Sequence, residues 1–502
     1  MYLLWHVGLV PILLPVVIFL LFRWKNRSFY RVSAELPGPK DYPLIGCGHL
    51  FIGKSNEEQF AILNELTKKY PSPCRAWLGH KFLIFIDNPE DLQTVLNSPN
   101  CLEKADVYRF FHCDKGLFSS PASVWKVHRK LLSPCFSPAI LASFVSIFNV
   151  KSATLVQRIE KHLKHEEFNI NEDISRCTLD MICATTLGTN MDLQSDEGTE
   201  YIKAIEEACE LINQRVYKIW LHPDFIYKKT SYYKAEQENY EKAYKMSRKV
   251  LRLKQGERRE KLKPSTDEDL RKPQIYIDQI LRLAEETDIF DDAAIRDELD
   301  TIILGGNETS GLTLSHVMLM LAIHQEVQEN VYNEIVNVIG SSDPSVSVQN
   351  DHLGKLNYTE MVIRETMRLF PVGPIVARTC TAPTKISKTT IPEGTTIILG
   401  VFNIHRNPSH WGSQVNSFNP ENFLPERAAE RHPYAYLPFS GGPRNCIGYK
   451  YGLMSMKIMM CHLLRAYRFR TPLKMDQLQL KMSITLKIAN KHLVQIERRQ
   501  SV

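Results

Sequence analysis

Cys446 stands in the run Phe439-Ser440-Gly441-Gly442-Pro443-Arg444-Asn445-Cys446-Ile447-Gly448, a glycine-rich loop. The loop ends where Leu453, Met456 and Met460 begin to recur at helical spacing. A helix start carries partial positive charge and unpaired N–H groups, and both stabilise the charged form of a thiol. The sequence therefore predicts a thiol at Cys446 that ionises easily. The glycines let backbone approach the sulfur, and something flat beside it, without side chains intervening. With no Cys or His partner nearby, the chemistry indicated is ligation of haem iron rather than a zinc site. Cys446 alone reads as a buried structural cysteine; the whole loop does not.

A second group able to do chemistry is Glu308-Thr309. It follows Gly305-Gly306 in the middle of a stretch, Asp297 to Ile323, that is apolar on most faces. Such all-round hydrophobicity predicts a helix through the core. Two mid-helix glycines cost about 1 kcal/mol each relative to alanine, and a buried glutamate costs more unless it is partnered. A structural helix gains nothing from that arrangement. A helix that opens a groove for a small ligand and delivers protons into it needs all of it. Glu365 and Arg368 fall at i and i+3 on one face of a further helix. Trp125 and Arg129 fall one turn apart on another, an indole N–H and a guanidinium suited to a carboxylate. Singly, Trp125 reads as a core aromatic and Arg129 as a surface cation.

Together these runs resemble the cytochromes P450. The family loop is Phe, two residues, Gly, one residue, Arg, one residue, Cys, one residue, Gly; Phe439, Gly442, Arg444, Cys446 and Gly448 fit every fixed position. The resemblance runs from about Leu36 to the end of the chain. The wording from Arg431 to Phe439 is most similar to the animal fatty-acid ω-hydroxylase clan, the insect branch in particular. It implies a mainly α fold with small β-sheets, forming a single large haem-binding domain. It also implies roles: Cys446 as the iron ligand, Glu308 and Thr309 as the proton-delivering pair, and Trp125, Arg129, Arg378 and Arg444 around the haem propionates. Glu365 and Arg368 become a structural ion pair beneath the haem.

The reaction so implied is hydroxylation of a lipophilic small molecule, a fatty acid, hormone, odorant or foreign compound, with O2 and two electrons from NADPH. NADPH–cytochrome P450 reductase would relay them, with cytochrome b5 a further candidate donor. Lys126, Lys130, Lys450 and Lys457 are the expected reductase-facing cations. Phe110 or Phe111, Leu304, Val372 and Ile375 are the expected substrate contacts. Two positions depart from the family. Asn422 stands where close relatives have an arginine that completes a charged triad with Glu365 and Arg368, and Arg427 is the candidate to replace it. Gly305 stands where many members of the clan have a glutamate that esterifies a haem methyl, so haem b held without a covalent bond is expected.

The remainder of the chain sets the context. Its 502 residues have ordinary globular composition, without an internal repeat, and carry a net charge of +6. The densest basic stretch, Lys242 to Lys263, is interrupted by Glu257 and Glu260 and reads as a solvated helix face, not a nucleic-acid site. Eleven scattered cysteines, with no close pair, argue against a disulfide framework or zinc ribbon and fit a reduced, cytosol-facing compartment. From Tyr2 to Phe22 there is an uncharged apolar run. About 20 residues rising 1.5 Å each cross a hydrocarbon core of about 30 Å. Arg23, Lys25, Arg27 and Arg31 follow it. The expectation is a transmembrane anchor at 1–22, a basic linker at 23–36 and a catalytic domain at 37–502 on the cytosolic side of the endoplasmic reticulum membrane. A cleaved signal peptide would need a positive stretch ahead of the apolar run, and none is present.

Two other functions fit a thiolate loop: a haem-thiolate isomerase or lyase that works without a reductase, and a non-catalytic haem sensor. The Glu308-Thr309 pair argues against the first, since rearranging a peroxide requires no proton relay.

Overall fold

A computed structural model describes residues 17 to 499 apart from 18, 44, 165 and 261–273. The expected anchor at 1–22 lies mostly outside the described residues, and among those no helix is long and apolar enough to cross a membrane. The fold is mainly helical with small sheets. The helices that matter for the site are α1 (Arg27–Glu35), α2 (Ala122–Leu132), α3 (Ile170–Thr185), α4 (Asp196–Tyr217), α5 (Ser231–Glu260), α6 (Tyr276–Glu286), α7 (Asp292–Ile323), α8 (Asn357–Leu369) and α9 (Tyr449–Ala466). Within the stretch expected to be a linker, α1 docks on the sheet: Tyr30 stacks on Trp77 at 4.7 Å, and Trp77 Nε1 donates to Ser33 Oγ at 3.0 Å.

The largest sheet has five strands: β1 (Cys74–Leu78), β2 (Lys81–Ile86), β3 (Glu103–Lys104), β4 (Ile375–Thr379) and β5 (Thr396–Gly400). Their order is β1-β2-β5-β4-β3; β2 and β5 run parallel and the other pairs antiparallel. A two-stranded hairpin, β6 (Leu480–Ser483) and β7 (Thr485–Ile488), closes the far end of the site.

The axis of the molecule is α7, whose 32 residues span about 48 Å. Asp291 caps its start by accepting from Ala294 N–H at 2.8 Å. Leu314, Val317, Met318 and Leu321 are fully buried, as expected of a helix that is apolar all round. The two mid-helix glycines do different work. A Cβ on Gly306 would lie 2.4 Å from Ile182 Cδ1, so its bare backbone lets α3 pack close. A Cβ on Gly305 would meet nothing within 4 Å. Only Gly305 faces open space, which corrects the expectation that both glycines open the groove.

Near its start, α7 buries Glu298 completely. The carboxylate meets His128 Nδ1 of α2 at 2.7 Å and accepts from Tyr276 OH of α6 at 2.7 Å and from Leu117 N–H at 3.2 Å. Removing it strands three buried partners at once. Glu298→Ala is therefore expected to destabilise the protein by about 3–5 kcal/mol, read as a lower urea midpoint in far-UV circular dichroism. An unchanged midpoint would mean that this junction does not hold α2, α6 and α7 together.

Candidate active site

The loop before α9 is shaped by backbone that few residues adopt. Ser440 and Gly442 have φ of 60° and 66°. At Gly442 a Cβ would stand 2.0 Å from Leu96 O, so only glycine fits. Cys446 N–H donates to Phe439 O at 3.0 Å and closes the loop. Arg129 of α2 clamps it, donating to Asn445 O at 2.7 Å and to Asn445 Oδ1 at 2.8 Å.

Ten of the eleven cysteines are buried and Cys446 alone is exposed. Its accessible surface notwithstanding, much protein lies around the Cys446 sulfur. Burial pushes the Cys446 thiol above its ordinary range; the Gly448 N–H and Arg129 draw it back only in part. Easy ionisation at the helix start is thus outweighed by desolvation. A coordinated metal ion reverses that balance, because a ligating thiol is deprotonated outright.

A group of cations lies nearby in the fold. The strand register sets Lys104 of β3 directly opposite Arg378 of β4. Arg444 donates to Leu102 O and Ser120 O, both at 2.7 Å, and its guanidinium lies 5.0 Å from the Trp125 ring. Burial, then Arg378 and Arg444, depress Lys104 well below the usual lysine range. Burial also lowers Arg378, and burial with Arg378 brings Arg444 down to about 10. Among the described residues no carboxylate forms an ion pair with any of the three. Arg378 and Arg444 are buried and Lys104 half-buried; like charges held together there are costly without a counter-charge, so the cluster fits a ligand that brings carboxylates. The structure thus brings Trp125, Arg378 and Arg444 near one another and adds Lys104, which sequence reasoning missed. A lysine on a two-residue edge strand gives no local signal. Arg129 stands apart from them, bonded to the cysteine loop.

On α7, Thr309 Oγ1 donates to Gly305 O at 2.6 Å beside the open face of Gly305. Glu308 pairs with Lys487 at 3.0 Å and accepts from Thr485 Oγ1 at 3.1 Å, both residues of β7. Burial works against the Lys487 charge, yet Glu308 and Glu206 outweigh it and raise the pKa overall.

Beneath the loop, Glu365 and Arg368 are fully buried and joined by two 2.7 Å bonds. Arg368 also donates to the carbonyls of His405, Val415 and Ser417. Asn422 Nδ2 donates to Glu365 Oε1 at 3.1 Å and takes the third position by hydrogen bonding alone. Arg427 does not substitute: it sits at the surface, 3.6 Å from Glu421. The nearby cation is Arg431, which donates to Asn422 O at 2.8 Å and lies over the Trp411 ring at 3.7 Å.

Of the four lysines expected to face a reductase, Lys126, Lys130 and Lys450 are exposed. Lys457 is not; it is buried and bonded to Leu353 O at 2.8 Å and Glu360 at 2.7 Å. Among the expected substrate contacts, Phe111 and Leu304 line a cavity with α4 and α5. Phe110 is fully buried under the Arg215 guanidinium, 4.1 Å from its ring. Ile375 packs against Phe60, Phe402 and Leu486, and Val372 O accepts from Leu486 N–H at 3.1 Å.

A thiol loop leading into a helix that packs on the core helix, an acid and an alcohol on that core helix, and a cluster of cations without an ion-paired carboxylate together define a class of protein. The family model for cytochrome P450 matches residues 36–495, and the chain belongs to that family and is a cytochrome P450 monooxygenase. It is similar to cytochrome P450 4c21 of Blattella germanica, 33% identical across 94% of this chain and 95% of the relative. It is also similar to probable cytochrome P450 313b1 of Drosophila melanogaster, 31% identical over 96% and 97% of the two chains. Cytochrome P450 4V2 of Homo sapiens is 31% identical over 92% of this chain and 89% of its own. Membership implies haem iron with a thiolate ligand, and the donor set present fits that group. It offers one exposed sulfur, glycine backbone beside it and cations for carboxylates, while no cluster of metal-binding side chains is found among the described residues.

Proposed function

We propose that the protein hydroxylates a lipophilic small molecule with O2 and with electrons that a flavoprotein reductase passes on from NADPH. Bound haem supplies the oxygen-activating and oxidising chemistry. The chain supplies the rest. Cys446 would supply the sulfur that ligates the iron, and Arg129 fixes the loop that carries it. Trp125, Arg378 and Arg444, joined by Lys104, would hold the propionates, and Gly305 offers no side chain for a covalent bond to the haem. Glu308 and Thr309 move a proton toward the open face of Gly305. Exposed Lys126, Lys130 and Lys450 offer the reductase a basic surface; the domain sits on the cytosolic face of the endoplasmic reticulum membrane behind the 1–22 anchor.

The observation that carries this reading is the presence, in one family fold, of one exposed cysteine in its glycine-rich loop and of an acid and alcohol beside an open glycine on the core helix. Incubating the haem-loaded protein with reductase, NADPH and lipophilic candidates tests it against its two rivals. Substrate-dependent NADPH consumption with an oxygenated product is expected. Peroxide rearrangement without NADPH would instead identify an isomerase, and ligand binding without any turnover a sensor.

A further inference from the structure

Glu308 and Thr309 flank the open face of Gly305. At about 100° per residue around α7, Glu308 lies about 60° to one side of Gly305 and Thr309 about 40° to the other. The Thr309 hydroxyl is bonded to Gly305 O, whereas the Glu308 carboxylate is held by the β6–β7 hairpin. Lys487 of that hairpin stands 3.0 Å from Glu308 and 3.8 Å from Glu206 of α4. Side-chain exposure falls along this line, from 41% at Glu206 to 16% at Lys487 and 11% at Glu308. One cation thus joins a carboxylate that meets solvent to the acid beside the open face.

The hairpin is fixed where this line crosses it. Ser483 pairs directly with Thr485 and leaves Ile484 alone at the turn, with φ of 68°. A β-branched residue is strained there, and such strain persists only where the surroundings impose it. Contacts from both strands do so: Ser483 Oγ donates to Glu210 at 2.9 Å, and Thr485 Oγ1 and Lys487 both bond Glu308.

We propose that Lys487 is the positioning residue of the proton relay, holding Glu308 beside the open face of Gly305 and joining it to Glu206, where the relay takes up protons from solvent. The proposal rests on the monooxygenase reading and extends it to α4 and β7. For each proton that Glu308 releases toward Thr309, Glu206 passes one inward, through water at the ammonium they share, and recovers one from solvent. Lys487 keeps its own proton throughout. Burial opposes its charge, but Glu308 and Glu206 outweigh burial and raise its pKa. Burial also raises the Glu206 carboxyl, with Lys487 opposing and Glu308 reinforcing the shift, so Glu206 holds a proton to higher pH than an ordinary glutamate. Cys209 acts further on Lys487, and Glu172 and Lys481 on Glu206.

Haem-loaded Lys487→Met, Lys487→Arg and Glu206→Gln test this with reductase, NADPH and dodecanol, a neutral probe that Lys487 cannot hold as an ion pair. Lys487→Met is expected to slow NADPH consumption by about tenfold, Lys487→Arg to recover most of that rate, and Glu206→Gln to slow it by about threefold. The ratio of rates in H2O and D2O should rise by about twofold in Lys487→Met, because proton delivery then limits turnover. Lys487→Met combined with Glu308→Gln should be no slower than Glu308→Gln alone, since both act on one unit. Equilibrium dialysis should find dodecanol binding within about threefold of the wild type in Lys487→Met. Weaker dodecanol binding with an unchanged maximal rate would make Lys487 a substrate contact and overturn the proposal. Wild-type rate and isotope ratio in Lys487→Met would overturn it too. If Lys487→Met does not take up haem, Glu206→Gln at its partly exposed side chain decides, and a wild-type rate there sinks the solvent entry. A wild type that consumes NADPH no faster than reductase alone would instead remove the monooxygenase reading, and this proposal with it.

Discussion

Cys446→Ala should leave a folded protein that has lost both the carbon monoxide band of thiolate-ligated haem and all NADPH-dependent product. The loop does not depend on the sulfur for its shape. Positive φ at Ser440 and Gly442, the Cys446 N–H bond to Phe439 O and the Arg129 clamp on Asn445 all involve other atoms. Only one sulfur of an exposed residue is removed, so the unfolding free energy of the apoprotein, read from urea titration, should change by less than about 1 kcal/mol. The chemistry behaves oppositely, because no other exposed cysteine is present to replace the ligand. Carbon monoxide difference spectra of the reduced variant, recorded at equal haem content, check this. Survival of the thiolate-type band would remove Cys446 from the site.

A second large effect is expected at Thr309, and it concerns where electrons end up rather than how tightly substrate binds. Thr309 Oγ1 donates to Gly305 O and keeps its lone pairs beside the open face of that glycine. It can thus both accept a proton and pass one on. In Thr309→Ala that relay is cut at its last atom while the space remains open. NADPH should still be consumed, but product per NADPH should fall by about tenfold or more, with hydrogen peroxide rising to match. Thr309→Ser, which retains the hydroxyl, should recover most of the coupling. Glu308→Gln should act earlier and slow NADPH use itself; because Glu308 is tied to Lys487 and Thr485, this variant also leaves half-buried Lys487 without its nearest carboxylate. Unchanged coupling in Thr309→Ala, with only weaker substrate affinity, would make Thr309 a packing residue.

What could be read directly from the sequence is what lies within a few residues of itself. The loop from Phe439 to Gly448, the i and i+3 pairing of Glu365 with Arg368 and the Glu308-Thr309 step all sit inside single short runs. Helical period and backbone chemistry determine such geometry before any tertiary contact forms. The mainly helical class and its small sheets followed from the family resemblance, while periodicity placed individual helices such as the one after Cys446.

Tertiary structure alone decided who meets whom across long separations. Lys104 meets Arg378 because β3 pairs with β4 in one register, and a shift of one residue would turn the side chains to opposite faces. Glu308 meets Lys487 because a hairpin from the end of the chain folds over α7. Asn422, and not Arg427, reaches Glu365 because hydrogen-bonding reach decides that contact and charge does not. Lys457 and Lys450 look alike as letters; the helix turns one into the core and leaves the other outside. In each case the deciding quantity is burial or a through-space distance, and neither is a property of spacing along the chain.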